Sequence, residues 1–213
     1  MTNLNESIVW ITGGSSGIGL AAARAFGRAG ATVVISGRRI DALARAVEEL
    51  RGIDVRASHA ALDVTDREAC SSTAAAILKE HGRIDVLVNS AGQNIAKRNW
   101  AQVSVEGWEE VFAANVHGTF YCVSAVLPSM RARRDGRIIN VSSWAGRFDS
   151  KAGGPAYVSA KHAVNAMTRS LNMDEFQNGI RATALCPGEV ATPIMDKRAV
   201  PPTPEQLARM LQV

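Results

Sequence analysis

"ITGGSSGIGLAAARAF", Ile11 to Phe26, runs from an apolar strand end through a burst of glycine and serine into an alanine-rich helical stretch. It admits two incompatible readings. Gly13-Gly14-Ser15-Ser16-Gly17 matches the G-x-S-x-G turn on which α/β-hydrolases raise a nucleophilic serine. The same residues also suit a turn that brings backbone close to a pyrophosphate and aims a helix N-terminus at it, with Gly13, Gly17 and Gly19 placed directly after a strand. The hydrolase reading fails on its surroundings. A nucleophile elbow takes half its oxyanion hole from an upstream strand and loop, and its base from a downstream histidine. Only a few residues precede this turn, and none of His59, His81, His117 and His162 offers a clear partner. The spacing G-x-x-x-G-x-G is longer than the common dinucleotide fingerprint, although Gly17-x-Gly19-x-x-Ala22 also satisfies the glycine-or-alanine form.

Outward from this turn, short β-branched runs alternate with longer helical ones, which predicts a parallel sheet covered by helices. Strands are expected at Ile8 to Thr12, Thr32 to Ser36, Asp54 to Ala60, Asp85 to Asn89, Arg137 to Ser142 and Ile180 to Cys186. All are short and mostly apolar, as strands buried on both faces are. Thr65-Asp66-Arg67-Glu68 reads as a capping box, Gly30, Gly52 and Gly82 as helix ends, and Pro155 as a first-turn proline. The expectation is six strands alternating with five helices in one domain over residues 1–213, with a core over 1–190.

Composition is that of an ordinary globular chain, 46% hydrophobic and 21% charged, so disorder is not expected. The net charge of +4 is spread along the chain except at "RARRDGR", Arg131 to Arg137, which reads as a solvated helix end rather than a nucleic-acid patch. Cys70, Cys122 and Cys186 are far apart in sequence and lack metal-ligand spacing, so no metal site is expected and the thiols read as small hydrophobes in a reducing compartment. No basic leader precedes an apolar core and no run appears long enough to span a membrane, which implies a cytoplasmic protein without a membrane partner.

Six motifs occur in order: "TGGSSGIG" at Thr12 to Gly19, "NSAG" at Asn89 to Gly92, Asn115 in "FAANVHGTF", "IINVSS" at Ile138 to Ser143, "YVSAK" at Tyr157 to Lys161 and "PGEVAT" at Pro187 to Thr192. Together they make the chain resemble a short-chain dehydrogenase/reductase over nearly its whole length. The resemblance implies a Rossmann-like, doubly wound α/β sheet of order 3-2-1-4-5-6 and hydride transfer between a nicotinamide cofactor and a small alcohol or carbonyl compound. Tyr157 and Lys161, four apart on one helix face, then form a proton-transfer pair in which the ammonium favours the phenolate. Ser143, fourteen residues before Tyr157, aligns with the family's substrate-orienting serine, and Asn115 with the residue that holds a relay water beside Lys161.

For the cofactor, the resemblance implies contacts from Gly13, Ser15, Ser16, Gly17, Ile18 and Gly19 in the first turn, and from Asp63 and Val64 beside the adenine. It adds Asn89, Ala91 and Gly92 along the ribose, Tyr157 and Lys161 themselves, and Pro187, Gly188, Val190 and Thr192 at the nicotinamide end. At the end of the second strand Gly37 stands where an acidic residue would bind a ribose 2'-hydroxyl, and Arg38 and Arg39 follow, which favours NADP with NAD as second choice. Ser16 occupies a site where many NADP-preferring relatives carry a second basic residue. Gln93, Asn94, Trp144, Arg147, Phe148, Glu189 and Met195 are expected at a substrate pocket whose mixed character leaves the substrate open. The family's seventh strand has no counterpart before Val213, so residues 191–213 read as an incomplete substrate loop. The sixth strand is then an open edge, implying a shortened chain or a homo-oligomer, dimer or tetramer, that covers it. A catalytically impaired NADP-binding sensor or interaction protein is the alternative, and the presence of Ser143, Tyr157, Lys161 and Asn115 argues against it.

Overall fold

The computed structural model describes residues 4–188 together with Val190 and Glu205. Glu189, Thr192 and Met195, and with them the rest of the expected substrate loop, lie outside the described residues. Six strands, β1 (Ile8–Thr12), β2 (Thr32–Gly37), β3 (Ala57–Ala61), β4 (Val86–Asn89), β5 (Gly136–Val141) and β6 (Ile180–Leu185), form one parallel sheet in the order β3-β2-β1-β4-β5-β6. The order reverses direction on either side of β1, so a crevice opens between the C-terminal ends of β1 and β4, the switch point where open α/β sheets bind ligands.

β1 shows why the sheet is buried on both faces. Its side chains alternate, so Ile8 and Trp10 enter one core cluster with Leu87, Cys122, Met130 and Ile138, while Val9 and Ile11 enter the other with Val33, Ile35, Leu43 and Leu50. Helices α1 (Gly17–Arg28) and α2 (Ile40–Arg51) supply the second cluster; α3 (Arg67–His81), α5 (Gly118–Arg133) and α6 (Gly154–Glu175) cover the first. Trp10 is fully buried and its indole N–H is satisfied by Ser36 Oγ at 3.0 Å, so the large ring carries no unpaired polar atom into the core.

Between β4 and β5 the helix is continuous from Val105 to Arg133, but it consists of α4 (Val105–Phe112), a π-helical turn over Ala113–His117 and α5. By length and composition this 29-residue rod could cross a membrane, which corrects the expectation that no run is long enough. In the fold its α5 part packs against α3 and the sheet, placing Cys122, Val123, Val126 and Met130 in the core.

Two local expectations also change. The third strand starts at Ala57 rather than Asp54, because Asp54 sits in a turn with φ of 59°. The cap of α3 is Asp66, whose carboxylate accepts from Ala69 N at 2.9 Å. Thr65 instead donates to Asp63 Oδ1 from both its backbone nitrogen and its hydroxyl, at 3.0 and 2.9 Å. Gly82 ends α3 in the left-handed conformation that glycine favours, whereas Gly52 ends α2 with ordinary right-handed geometry.

Candidate active site

The turn after β1 requires its glycines for steric reasons. Gly13 has φ of 65°, and a Cβ there would stand 2.8 Å from the Ala91 nitrogen; a Cβ on Gly19 would collide with the Gly13 carbonyl. Gly17, at φ of 53°, opens α1. Ser16 is extended at the N-cap and makes no side-chain cap, so the first amides of α1 keep their donor capacity at the mouth of the crevice. Ser15 and Ile18 complete this turn, each partly exposed.

Thr12, at the end of β1, ties the turn to the next strand: its hydroxyl accepts from the Ser90 and Ala91 amides at 3.2 and 3.1 Å. Asn89 donates to Asn140 Oδ1 at 2.9 Å, and its own Oδ1 is buried without a partner. Gly92 follows, where a Cβ would come within 2.6 Å of Asn115 Oδ1 and 3.6 Å of Lys161 Nζ. Asn115 lies in the π turn and spends its amide on the carbonyls of Gln93 and Val111, both at 2.8 Å, leaving Oδ1 buried and unpartnered. Two buried acceptors without donors, beside a cradle in which only glycine fits, are groups that a hydroxyl-rich ligand or a water satisfies.

Strand β5 delivers the serines. The Ser142 hydroxyl is buried and donates to the Lys161 carbonyl at 3.1 Å, so it is fully committed to packing α6. Ser143 points the other way; its Oγ accepts from Ala145 N at 3.2 Å, which leaves the hydroxyl proton available to a ligand. On α6, Lys161 Nζ is 5.5 Å from the centroid of the Tyr157 ring and donates to the Val141 carbonyl at 2.8 Å. Burial pushes its pKa down from 10.5 to about 8, a fall that nearby Cys186 partly opposes. Tyr157, Lys161, Gly92 and Asn115 therefore converge, and Ser143 stands at the end of the strand to which Lys161 is bonded.

At the opposite end of the crevice, Gly37 is roomy: a Cβ would meet nothing nearer than Leu43 Cδ2 at 3.8 Å and Ser15 Oγ at 4.0 Å. Arg38 and Arg39 are exposed immediately beyond it, with Arg39 as the N-cap of α2. Asp63 is exposed after β3 and, as noted, holds the Thr65 turn, while Val64 is buried against Gly118. The segment after β6 reaches the same side, where the Pro187 carbonyl accepts from Trp144 N at 2.8 Å. Gly188 has open space around it and Val190 is exposed. Residue types that could hold a nicotinamide dinucleotide thus stand at the C-terminal ends of the parallel strands. No cluster of three or more potential metal ligands occurs among the described residues.

Several participants have no role in the motif reading. Thr12, Asn140, Asn165 and Thr168 hold the site together through buried hydrogen bonds, including Asn140 Nδ2 to Thr168 Oγ1 at 2.9 Å and Asn165 Nδ2 to the Gly146 carbonyl at 2.7 Å. The available signal is a polar residue inside an otherwise apolar strand or helix face, as Asn140 is in "IINV". Asn94 and Gln93 reach other elements, Gln93 pairing with Glu110 at 2.8 Å. Trp144 and Phe148 stack on each other with centroids 4.4 Å apart, both about half exposed, and Arg147 lies 5.9 Å from the Phe148 ring.

Residues 7–201 match the short chain dehydrogenase family. Among similar proteins is the D-beta-hydroxybutyrate dehydrogenase of Rhizobium meliloti, 32% identical over 190 residues that cover 88% of this chain and 73% of that one. A crystal structure of a variant actinorhodin polyketide ketoreductase with NADPH superposes with a TM-score of 0.85 at 33% identity, covering 91% of this chain and 74% of the other. A metagenomic short-chain oxidoreductase in complex with NADP gives a TM-score of 0.83 at 32% identity, covering 88% and 85%.

Proposed function

The chain belongs to the short-chain dehydrogenase family, and from that premise we propose that it is an NADP(H)-dependent oxidoreductase acting on a small alcohol or its carbonyl partner, with cofactor and substrate held by one domain. The observation that carries the reading is the buried Lys161 ammonium, 5.5 Å from the centroid of the Tyr157 ring and bonded to the carbonyl at the end of the strand that leads to Ser143, whose hydroxyl proton is uncommitted. When bound, the nicotinamide supplies or accepts the hydride. Tyr157 gives its phenolic proton to the carbonyl oxygen in reduction and takes it back in oxidation. Ser143 donates its hydroxyl proton as a hydrogen bond to the same oxygen, stabilising the charge that develops there. Lys161, anchored on Val141, favours the phenolate electrostatically and is replenished with protons through a water accepted by Asn115 Oδ1. On this reading Pro187, Gly188 and Val190 would border the nicotinamide end, and Asp63 and Val64 the adenine.

Preference for NADP is supported by the space at Gly37, which carries no carboxylate to repel a 2'-phosphate, and by the two exposed arginines beyond it. Solved relatives carry NADPH and NADP, and NAD remains the second choice. The substrate class reaches from hydroxy acids, as the name of the Rhizobium relative suggests, to bulkier ketones, as that of the polyketide ketoreductase does. A carbonyl and alcohol panel read by NADPH fluorescence, run on the parent protein and on Tyr157→Phe, tests the proposal. Turnover by the parent that the variant loses is expected. Tight NADPH binding by the parent with no turnover of any panel member would instead favour a cofactor-binding sensor.

A further inference from the structure

The loop after β4 ends as a strap over the start of α6. Asn94 Nδ2 donates to the Gly153 carbonyl at 2.9 Å, while Asn94 Oδ1 accepts from the Ile95 amide at 2.8 Å. Four residues on, Arg98 Nη1 donates to the Ala152 carbonyl at 3.3 Å. The Arg98 carbonyl lies so close to Gly154, which has φ of 74°, that any Cβ there would collide with it. Ile95 packs into the small cluster of Val111, Ala156 and Ala160 to which the Tyr157 ring also belongs. The peptide that Asn94 grips is the one against which that ring rests, since a Cβ on Gly153 would stand 3.4 Å from Tyr157 Cδ1 and 3.1 Å from Val158 Cγ2.

We infer that Asn94 is a positioning residue: by donating to the Gly153 carbonyl it clamps the turn that precedes α6 and so fixes the Tyr157 ring relative to Lys161. The inference rests on the reading of Tyr157 as the proton donor. Its physical basis is distance. The Lys161 ammonium acts on the phenol through a separation of 5.5 Å to the ring centroid, and a ring free to drift from that position loses this interaction. The charged and titratable side chains on the elements around the ring are Lys161, His162, Arg169, Asp174 and Glu175 on α6, Lys97 and Arg98 on the strap, Glu106, Glu109 and Glu110 on α4, His117 in the π turn, and Arg147, Asp149 and Lys151 between β5 and α6. None of them is altered in the variants below.

The chain has only two tyrosines, Tyr121 and Tyr157, so ultraviolet titration of phenolate on the full-length protein resolves Tyr157 once Tyr157→Phe has shown which step disappears. Asn94→Ala removes both bonds. Asn94→Ser keeps an acceptor for the Ile95 amide but is too short to reach Gly153, which separates the clamp from the loop's own turn. Both variants are expected to move the Tyr157 midpoint upward by roughly half a pH unit or more. They should also lower kcat about tenfold to a hundredfold with NADPH affinity unchanged. A Tyr157 midpoint that stays at the parent value in a folded variant overturns the inference, even if the melting temperature falls. Should Asn94→Ala fail to fold, Asn94→Ser decides alone. If the parent turns over no carbonyl compound, the functional reading fails, and the titration still decides whether the clamp sets the phenol.

Discussion

Replacing Lys161 by methionine should make the protein more stable at neutral pH while abolishing turnover. The side chain is 6% exposed, and its burial lowers the pKa from 10.5 to about 8. A depression of that size corresponds to about 3 kcal/mol acting against the charged form in the folded state. Below pH 8 the folded and unfolded chains both hold the proton and the whole penalty is present. Between pH 8 and 10.5 the unfolded chain keeps a proton that the folded chain has released, so this group's effect on stability becomes steadily more favourable as pH rises. Methionine has nearly the same length and no charge, but it leaves the Val141 carbonyl without its donor, at about 1 kcal/mol. The expected difference is therefore a variant about 2 kcal/mol more stable than the parent at pH 7, with the advantage gone by about pH 10. Urea unfolding of both proteins at the two pH values, without added cofactor, measures it. A variant less stable than the parent at pH 7, or a difference that does not change with pH, would refute the reasoning.

Other outcomes follow from the same geometry. Tyr157→Phe keeps the ring and its packing but removes the hydroxyl, so turnover should fall by about 10²- to 10⁴-fold while NADPH titration stays unchanged. Arg38→Ala together with Arg39→Ala should weaken NADP(H) binding about tenfold or more and leave NAD(H) nearly untouched; equal loss for both cofactors in a binding titration would make the arginines structural. Gly37→Asp fits without a clash, its Cβ meeting nothing nearer than 3.8 Å, and should reverse the preference by binding the ribose hydroxyl and repelling the 2'-phosphate. Asp66→Ala should cost about 1 kcal/mol in thermal or urea unfolding as the loss of the α3 cap, and Thr65→Ala clearly less; the reverse ranking would restore threonine as the cap.

What was legible in the sequence is what steric or periodic necessity dictates. Gly13 and Gly19 stand where the backbone of neighbouring segments leaves no room for a Cβ, and Ile8 to Ile11 are apolar at every position because both faces of β1 are covered. Sequence and structure part where two residues satisfy the same local rule. Thr65 and Asp66 are both good N-caps, and Asp63 decides between them only in three dimensions, by taking the threonine into its own turn. The apolar run extends before β3 because Val55 is as apolar as a strand residue, yet it follows Asp54 with its positive φ and packs beneath Gly27 of α1. The π turn around Asn115 leaves no trace in composition, since a shift in backbone hydrogen-bond register needs no special residue type. Asn94 reads as an ordinary loop asparagine until the chain returns, 59 residues later, to offer it a carbonyl.

The buried polar residues of β5 and α6 are better explained by accuracy of placement than by stability. Asn89 donates to Asn140, Asn140 to Thr168, Ser142 to the Lys161 carbonyl and Asn165 to the Gly146 carbonyl, each between 2.7 and 3.1 Å. Apolar side chains of similar volume would fill the same space with no desolvation to repay, so net stability alone does not account for amides and hydroxyls there. Their value is directional. A helix packed on a strand through leucine and valine alone can slide with little change in contact, whereas a slide here strands buried donors and acceptors at about 1–3 kcal/mol apiece. Three of these four bonds join β5 or the turn after it to α6, the two elements that carry Ser143 and Tyr157. In the proposed mechanism substrate oxygen meets both hydroxyls at hydrogen-bonding distance, a tolerance of a few tenths of an ångström that apolar packing does not enforce along a helix axis. On this argument the polar ladder fixes the axial position of α6 and the Asn94 strap fixes its first turn, so the two side chains arrive at the crevice already in register.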